Sequence, residues 1–175
     1  ITTNRGRRPR AKRPESAARM DNRLVVLHRR FIRWPGGRWA FSRLVCLKAP
    51  YFASISPIVE VLEPGRCEAT LRHRRRVSNH LGTVHAIALC NLAEFIGGLT
   101  TDVSIPASMR WIPRGMTVEY LKKAQGRMHA RAWLEQPLEP AGQGYEVVVP
   151  VSLHNQAGEL VCQARITCWI SPRPH

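Results

Sequence analysis

An almost wholly apolar stretch, residues 86–96, constrains the fold of this chain more than any other feature. It directly follows a polar segment, residues 79–85 (NHLGTVH), as is typical of a loop that leads into a helix. The pattern predicts a helix over residues 84–100, closed by Gly97-Gly98. A helix that is apolar on nearly all sides is buried inside a domain, so other elements must wrap around it.

One carboxylate, Glu94, interrupts this apolar helix. Such a group is costly to bury unless it is paired or used in chemistry. The start of the helix after His85 offers free backbone N–H groups that can receive negative charge. We therefore expect a base and an oxyanion site on one rigid element. No membrane span is predicted, because His85, Asn91 and Glu94 interrupt the roughly 20 apolar residues that a bilayer requires.

The segments on either side of this helix have the pattern of β-strands. The turn signal Pro64-Gly65 separates the first two strands. The predicted strands are residues 58–63, 66–77, 116–124, 128–136, 145–155 and 160–171. Two strands before the helix and four after it describe an antiparallel sheet curled around a central helix, which is an α+β architecture.

Two amphipathic helices are predicted before the sheet, over residues 20–33 and 38–48, with a break at residues 34–37 (WPGG). These basic, tryptophan-bearing helices suit either an anionic membrane surface or the outside of the domain, with arginine heads extended into water. We favour packing over the domain. The apolar positions expected to form this roof are Leu24, Leu27, Phe31, Trp39, Leu44 and Leu47.

The net charge of +15 is concentrated at the N-terminus. Residues 1–19 and residues 20–50 each carry seven Lys or Arg and one acidic residue, whereas residues 51–175 carry thirteen and ten. The first segment lacks apolar periodicity and is interpreted as a disordered basic tail or a non-native extension, with Met20 as a candidate start. The domain itself, residues 51–171, is nearly balanced, so no nucleic-acid partner is expected.

The cysteines and histidines do not form a ligand or disulfide pattern. The five cysteines are odd in number and never form Cys-x-x-Cys, and the seven histidines include no His-x-x-x-His pair. This favours free thiols in a reducing compartment, hence a cytoplasmic protein, and predicts no metal site.

The spacing Asn79-x-x-Gly82-Thr83-x-His85…Glu94, together with the order of strands and helices, resembles the hotdog fold. More specifically, it is similar to acyl-CoA thioesterases of the phenylacetic-acid type. Residues 110–124 (RWIPRGMTVEYLKKA) resemble an uncharacterised branch of that superfamily, a domain of unknown function. The resemblance covers about residues 51–171. It implies an antiparallel six-strand sheet wrapped around one central helix, with the two N-terminal helices added.

The resemblance also implies roles for individual residues. Glu94 takes the position of the helix carboxylate that acts as general base or nucleophile on the thioester carbonyl. Asn79 takes the position of the residue that orients water or substrate. His85, Ala86 and Gly82 take the oxyanion and substrate-positioning places, where the backbone N–H after the histidine polarises the carbonyl oxygen. No cofactor is implied, and the expected assembly is a homodimer, or a tetramer of paired dimers, with the site at the subunit seam.

The chain departs from the family pattern directly after the histidine. The family usually has His-Gly-Gly, whereas this chain has His85-Ala86-Ile87. The side chains of Ala86 and Ile87 narrow the access of a substrate to the oxyanion site, which glycine leaves open. The favoured function remains an acyl-CoA thioesterase, and this departure favours the alternative, a non-enzymatic acyl-CoA or fatty-acyl binding protein. A hotdog dehydratase is disfavoured, because it needs a differently placed histidine with a carboxylate partner.

Each of these residues also has a purely structural interpretation. Asn79 suits a turn, His85 suits a side chain satisfied by loop backbone, and Glu94 suits a carboxylate bonded to a neighbouring strand. The arginines in residues 72–76 fit either CoA phosphates or a solvated strand edge. Tyr120 is expected to serve packing or an interface.

Overall fold

The computed structural model describes residues 22–174. Residues 1–19, for which a basic tail was expected, lie outside this range. The helices are α1 (Arg23–Phe31), α2 (Gly37–Lys48) and α3 (Ala86–Ser104), with short 3-10 turns at Pro50–Ser54 and Arg75–Val77. The strands are β1 (Ile58–Glu63), β2 (Arg66–Leu71), β3 (Met109–Tyr120), β4 (Met128–Trp133), β5 (Tyr145–His154) and β6 (Leu160–Pro172).

The six strands form one antiparallel sheet in the order β1-β2-β4-β5-β6-β3. The sheet wraps around α3, which contributes Leu92, Ala93 and Ile96 as fully buried side chains. Alternate strand residues such as Ala132 and Leu153 face this helix, as the two-residue period of a strand requires. The expected hotdog architecture, with a central helix and two N-terminal helices, is thereby confirmed.

The expected helix end at Gly97-Gly98 is wrong, because α3 continues to Ser104. These glycines serve close packing instead. A Cβ atom at Gly97 would overlap with Cδ1 of Ile166 on β6, and one at Gly98 would lie 3.2 Å from the ring of Trp111 on β3. The missing side chains therefore let the helix approach the sheet closely at a point where a larger residue would push it away.

Two strand boundaries also differ from the prediction. β2 ends at Leu71, and the arginine-rich segment after it runs along the surface into a 3-10 turn that buries Val77. β3 begins at Met109, earlier than predicted, and ends at Tyr120. The early start was hidden because Pro113 lies inside the strand, where proline is tolerated only at a sheet edge or a bulge. β3 satisfies both conditions, with a register shift between Pro113 and Gly115.

The N-terminal helices cover the β1 edge of the sheet. Ser42 of α2 accepts a hydrogen bond from the backbone N–H of Val59 at 2.8 Å, and His28 of α1 hydrogen-bonds to the backbone of the same residue. Val25 and Phe41 fill the space beneath the two helices and are fully buried. The N–H of Val59 is therefore not available for pairing with another strand.

The roof does not use all the side chains that the sequence suggested. Trp39, Leu44 and Leu47 are exposed, which contradicts their expected role in covering the domain. The helical period explains the difference, because α2 buries the side that carries Phe41, Ser42 and Cys46. The apolar character of α2 thus continues onto its solvent side.

Candidate functional site

The loop before α3 is held closed by the side chain of Asn79. Its Oδ1 accepts hydrogen bonds from the backbone N–H groups of Leu81 (3.0 Å) and Thr83 (3.1 Å), and its Nδ2 donates to Oγ1 of Thr83 (2.8 Å). Gly82 closes the turn with φ of +70°, a left-handed conformation that favours glycine. The geometry of this single chain thus gives Asn79 and Gly82 a loop-forming role.

The start of α3 is capped by His85. The imidazole Nδ1 accepts from the backbone N–H of Ile87 at 3.1 Å, and the carbonyl of His85 accepts from Ala88 at 2.9 Å. Ala86 is the first helical residue, so its N–H has no acceptor inside the helix. The backbone donor that the sequence placed after the histidine is therefore Ala86 N–H, at the positive end of the helix dipole.

Glu94 lies on the exposed side of α3, not in the core. It belongs to a row of small or polar side chains at helical spacing that also contains Cys90, Gly98 and Asp102. The expectation of a carboxylate buried within an apolar helix is therefore wrong for the single chain. The opposite side of α3 carries the core, so the two sides of this helix have different roles.

Glu94 lies at a cavity of about 580 Å³ between α2, α3 and the β3 end of the sheet. Its walls are mostly apolar, and three charged residues, Lys48, Glu94 and Asp102, interrupt them. The apolar lining residues include Leu44, Val45, Phe52, Phe95, Leu99 and Trp111. The sequence did not reveal that α2 and the 3-10 turn after it provide one wall of this cavity, because they are distant from Glu94 along the chain.

Glu94 and the N–H of Ala86 are too far apart to act on one carbonyl group within a single chain. They are eight residues apart on the same helix, which corresponds to about 12 Å at a rise of about 1.5 Å per residue. A base and an oxyanion donor must both lie about 3 Å from the reacting group. Both groups lie on α3, as expected, but within one chain they do not meet at a single carbonyl group.

Halfway between Ala86 and Glu94, Cys90 makes a contact that sequence reasoning missed. Its Sγ lies 2.9 Å from the phenolic oxygen of Tyr120, the last residue of β3. This hydrogen bond, with some burial, raises the pKa of Tyr120 to about 12. The sequence did contain a signal for the position of Cys90, because the spacing of Ile87, Cys90 and Glu94 places all three on one side of the helix.

A second hollow of about 630 Å³ lies over β2, β4 and β5. It includes Glu68, His129, Arg131 and His154, whose neighbours Ala130 and Leu153 point to the core. It is therefore on the side of the sheet away from α3, and its polar lining does not suit an acyl chain. Among residues 22–174, no three His, Cys, Asp or Glu side chains are grouped so that they could hold a metal ion.

Length and composition alone would allow α3 to cross a membrane. However, 67% of its apolar window is buried in the domain. The core helix of a folded domain has the same composition, so this property follows from the position of α3 inside the sheet.

The six-strand antiparallel sheet wrapped around α3 defines a protein of the hotdog fold class. The chain belongs to the family described as a domain of unknown function, DUF4442, whose model matches residues 37–170. That match begins at the first residue of α2. A comparison with curated protein sequences gives no match.

Solved structures agree with this assignment. A crystal structure of a genomics target is 43% identical, with a TM-score of 0.74 over 86% of this chain and 99% of that chain. A Pseudomonas aeruginosa protein of unknown function, described as a probable thioesterase, is 23% identical (TM-score 0.66, 75% and 93% covered). A Haemophilus influenzae thioesterase is 17% identical (TM-score 0.65, 77% and 90% covered). The last two support the fold alone.

Proposed function

We propose that this protein is an acyl-CoA thioesterase that uses Glu94 as general base. The observation that carries the proposal is the position of Glu94 at a largely apolar cavity of about 580 Å³. An acyl chain gains free energy by leaving water for such a cavity. Its thioester group would then lie beside the carboxylate.

The active site is proposed to form between two subunits of a homodimer. Cys90 lies midway between Ala86 and Glu94, so a two-fold axis beside Cys90 would place two α3 helices antiparallel. Glu94 would then lie opposite the partner subunit's Ala86. The pairing surface is β3, since no strand within residues 22–174 occupies its outer edge. Met116 and Tyr120 of β3 are exposed on the side of the sheet that faces α3.

The proposed reaction needs no metal or cofactor. Glu94 takes a proton from a water molecule while the oxygen of that water attacks the thioester carbonyl carbon. The carbonyl oxygen becomes an oxyanion that accepts a hydrogen bond from the N–H of the partner subunit's Ala86. The C–S bond then breaks and releases the CoA thiolate, which takes up a proton. Glu94 returns its proton to solvent, leaving a free acid and CoA as products.

Two observations favour the alternative, a non-enzymatic acyl-CoA or fatty-acyl binding protein. The side chain of Asn79 is committed to its own loop. The side chain of Ile87 stands 58% exposed at the start of α3, where the family usually has a glycine. The first leaves fewer polar groups available to a transition state, and the second narrows the access of a substrate to the start of α3, whereas neither affects the apolar cavity.

The deciding experiment incubates the full chain with acyl-CoA thioesters of increasing chain length and measures released CoA by chromatography. Glu94→Gln keeps the shape of the side chain but removes the base, so we expect hydrolysis to fall by about 10²- to 10⁴-fold. Glu135→Gln, at an exposed glutamate in the β4–β5 loop, is the matched control and should retain full activity. Equal turnover by the Glu94 variant would remove Glu94 from the mechanism. Binding without turnover in the wild type would favour the alternative.

We further propose a cytoplasmic location, and we propose that the helices within residues 22–50 cover the hotdog domain of residues 51–171. All five cysteines are free and four of them are buried, as suits a reducing compartment. Val25 and Phe41 join the same core as the sheet, so these helices contribute to the domain. A dimer of dimers is the larger assembly to be tested.

A further inference from the structure

The outer side of the two N-terminal helices exposes many large apolar side chains. Isolated exposed apolar residues are common, but a concentration of them in one short segment marks an interaction surface. Leu47 is 78% exposed, Trp34 72% and Trp39 61%. We define the helical-pair surface by its exposed apolar residues Val26, Trp34, Trp39, Leu44, Leu47 and Tyr51.

The same surface is strongly basic. Residues 22–50 contain seven Lys or Arg and no Asp or Glu. Arg30 and Arg33 are exposed beside the apolar set. Helices that combine Lys and Arg with Trp and Leu on their outer side are typical of proteins that lie in the interface of an anionic bilayer.

A hollow of about 390 Å³ beside Trp39 adds a concentrated positive charge. Arg43, Arg72, Arg74 and Arg127 all line it. Guanidinium groups bind phosphate oxygens through paired hydrogen bonds, so this arginine hollow suits a phosphate group.

The arginine hollow contains one acidic residue, Glu60, which compensates only a small part of the positive charge. Glu60 lies there, but it forms a salt bridge with Arg38 at 3.2 Å. Both groups are partly exposed, so that pair is itself weak. The hollow therefore retains a net positive charge from its four arginines.

We propose that the helical-pair surface docks on an anionic phospholipid bilayer. Trp34, Trp39 and Leu47 enter the interfacial region, where aromatic rings and aliphatic groups are both favourable. The arginine hollow accepts a lipid phosphate beside them. This docking does not require thioester hydrolysis and stands without it.

The position of the cavity is consistent with such docking. Leu44 belongs to the helical-pair surface and also lines the cavity, together with its neighbours Val45 and Lys48. Trp39 and Arg43 on the same helix line the arginine hollow. The docked surface therefore lies between an apolar cavity and a phosphate-binding hollow, so an acyl chain leaving the bilayer meets the cavity directly.

Charge and chemistry argue against other occupants of this surface. A second copy would place one basic surface against another, which costs electrostatic free energy. A nucleic acid would engage the arginines and tryptophans. It would leave Leu47 and Val26 without an apolar partner.

The test measures co-sedimentation of the full chain with phosphatidylcholine vesicles that contain or lack phosphatidylserine. We expect binding to the anionic vesicles that weakens as salt increases. Arg30→Glu/Arg33→Glu should weaken binding by about tenfold or more, since each basic residue near such a surface contributes roughly 1 kcal/mol, about fivefold. Residues 1–19 are the same in every variant, so their contribution cancels in the comparison.

Leu47→Ala tests insertion of the apolar side chains, and Leu81→Ala is its matched control at a leucine 69% exposed in the loop before α3. We expect only Leu47→Ala to weaken vesicle binding, and both to keep the wild-type melting temperature. Equal vesicle binding by these two variants would overturn the proposal, as would equal binding to neutral and anionic vesicles. Self-association that Leu47→Ala abolishes, without vesicle binding, would assign the surface to a second copy instead.

Discussion

Sγ of Cys90 and the phenolic oxygen of Tyr120 lie 2.9 Å apart, which places the middle of α3 at the same level as the end of β3. An axis that passes beside Cys90 therefore also passes close to the free edge of β3. The same contact places the exposed end of β3 beside the middle of α3, where the two-fold axis is proposed to pass. The Cys90–Tyr120 contact thus connects the proposed dimer to the proposed two-subunit site.

Met116→Glu should dissociate the dimer. Met116 is 36% exposed on β3, and the substitution places two carboxylates near each other across the seam. We expect a monomer by light scattering and at least a tenfold loss of hydrolysis, because each site loses half of its groups. Ile32→Glu, at a residue 38% exposed on the helical pair, should remain dimeric. A wild-type monomer that hydrolyses thioesters would contradict the two-subunit site.

Gly97→Ala should destabilise the fold although alanine is the better helix former. The propensity gain is at most about 1 kcal/mol. Overlap with Cδ1 of Ile166 costs about 1–3 kcal/mol, so the net effect is a lower free energy of unfolding. Adding Ile166→Val, which removes that carbon, should recover part of the loss. Urea denaturation of the two single variants and the double variant measures the coupling, and strict additivity would argue against this contact.

Acid should weaken the packing of α1 and α2 on β1 through His28. Burial lowers the pKa of His28, and the charge of Arg38 makes a smaller contribution in the same direction. The backbone hydrogen bond with Val59 and the charges of Glu60 and Glu63 raise this pKa, but by less than burial lowers it. The folded protein therefore prefers neutral imidazole, and its Nε2 has no partner with which to hold a proton. The stabilisation is complete above the unfolded-state pKa of about 6.5 and decreases as the pH falls below it.

The measurement is the melting temperature between neutral and mildly acidic pH. His28→Gln should be less stable at neutral pH, because glutamine lacks the ring that packs against Phe41. Because glutamine does not titrate, the melting temperature of this variant should depend much less on pH. His80→Gln, at an exposed histidine, is the control, and its melting temperature should depend on pH as that of the wild type does. A pH dependence that is unchanged in His28→Gln would exclude this histidine as its cause.

Val45→Phe should shorten the acyl chain that the protein accepts. Val45 lines the cavity from α2, and a larger side chain there removes space from an apolar wall. Each methylene that no longer fits costs roughly 1–3 kcal/mol, so kcat/KM for the longest substrates should fall at least about tenfold while short ones are spared. Val26→Phe, on the exposed side of α1, should leave the chain-length profile unchanged. A uniform decrease for all chain lengths would place the acyl group elsewhere.

The sequence alone determined the central helix and the succession of strands along the chain, and its resemblance to known proteins indicated the hotdog architecture. Residues 86–96 are apolar on nearly all sides, and local turn signals such as Pro64-Gly65 separate the strands that surround them. Such patterns depend on neighbours in sequence, so they can be recognised without coordinates. The loop from Asn79 to the His85 cap was found for the same reason.

Tertiary structure decided what contacts α3 and which of its sides remains open. Gly97 and Gly98 resembled a helix end, but Ile166 and Trp111 approach them from distant strands. Glu94 seemed buried, yet it lies at a cavity whose other wall comes from α2. These relationships join residues far apart in the chain. Local periodicity contains no information about them, because burial depends on which surfaces the completed sheet brings against the helix.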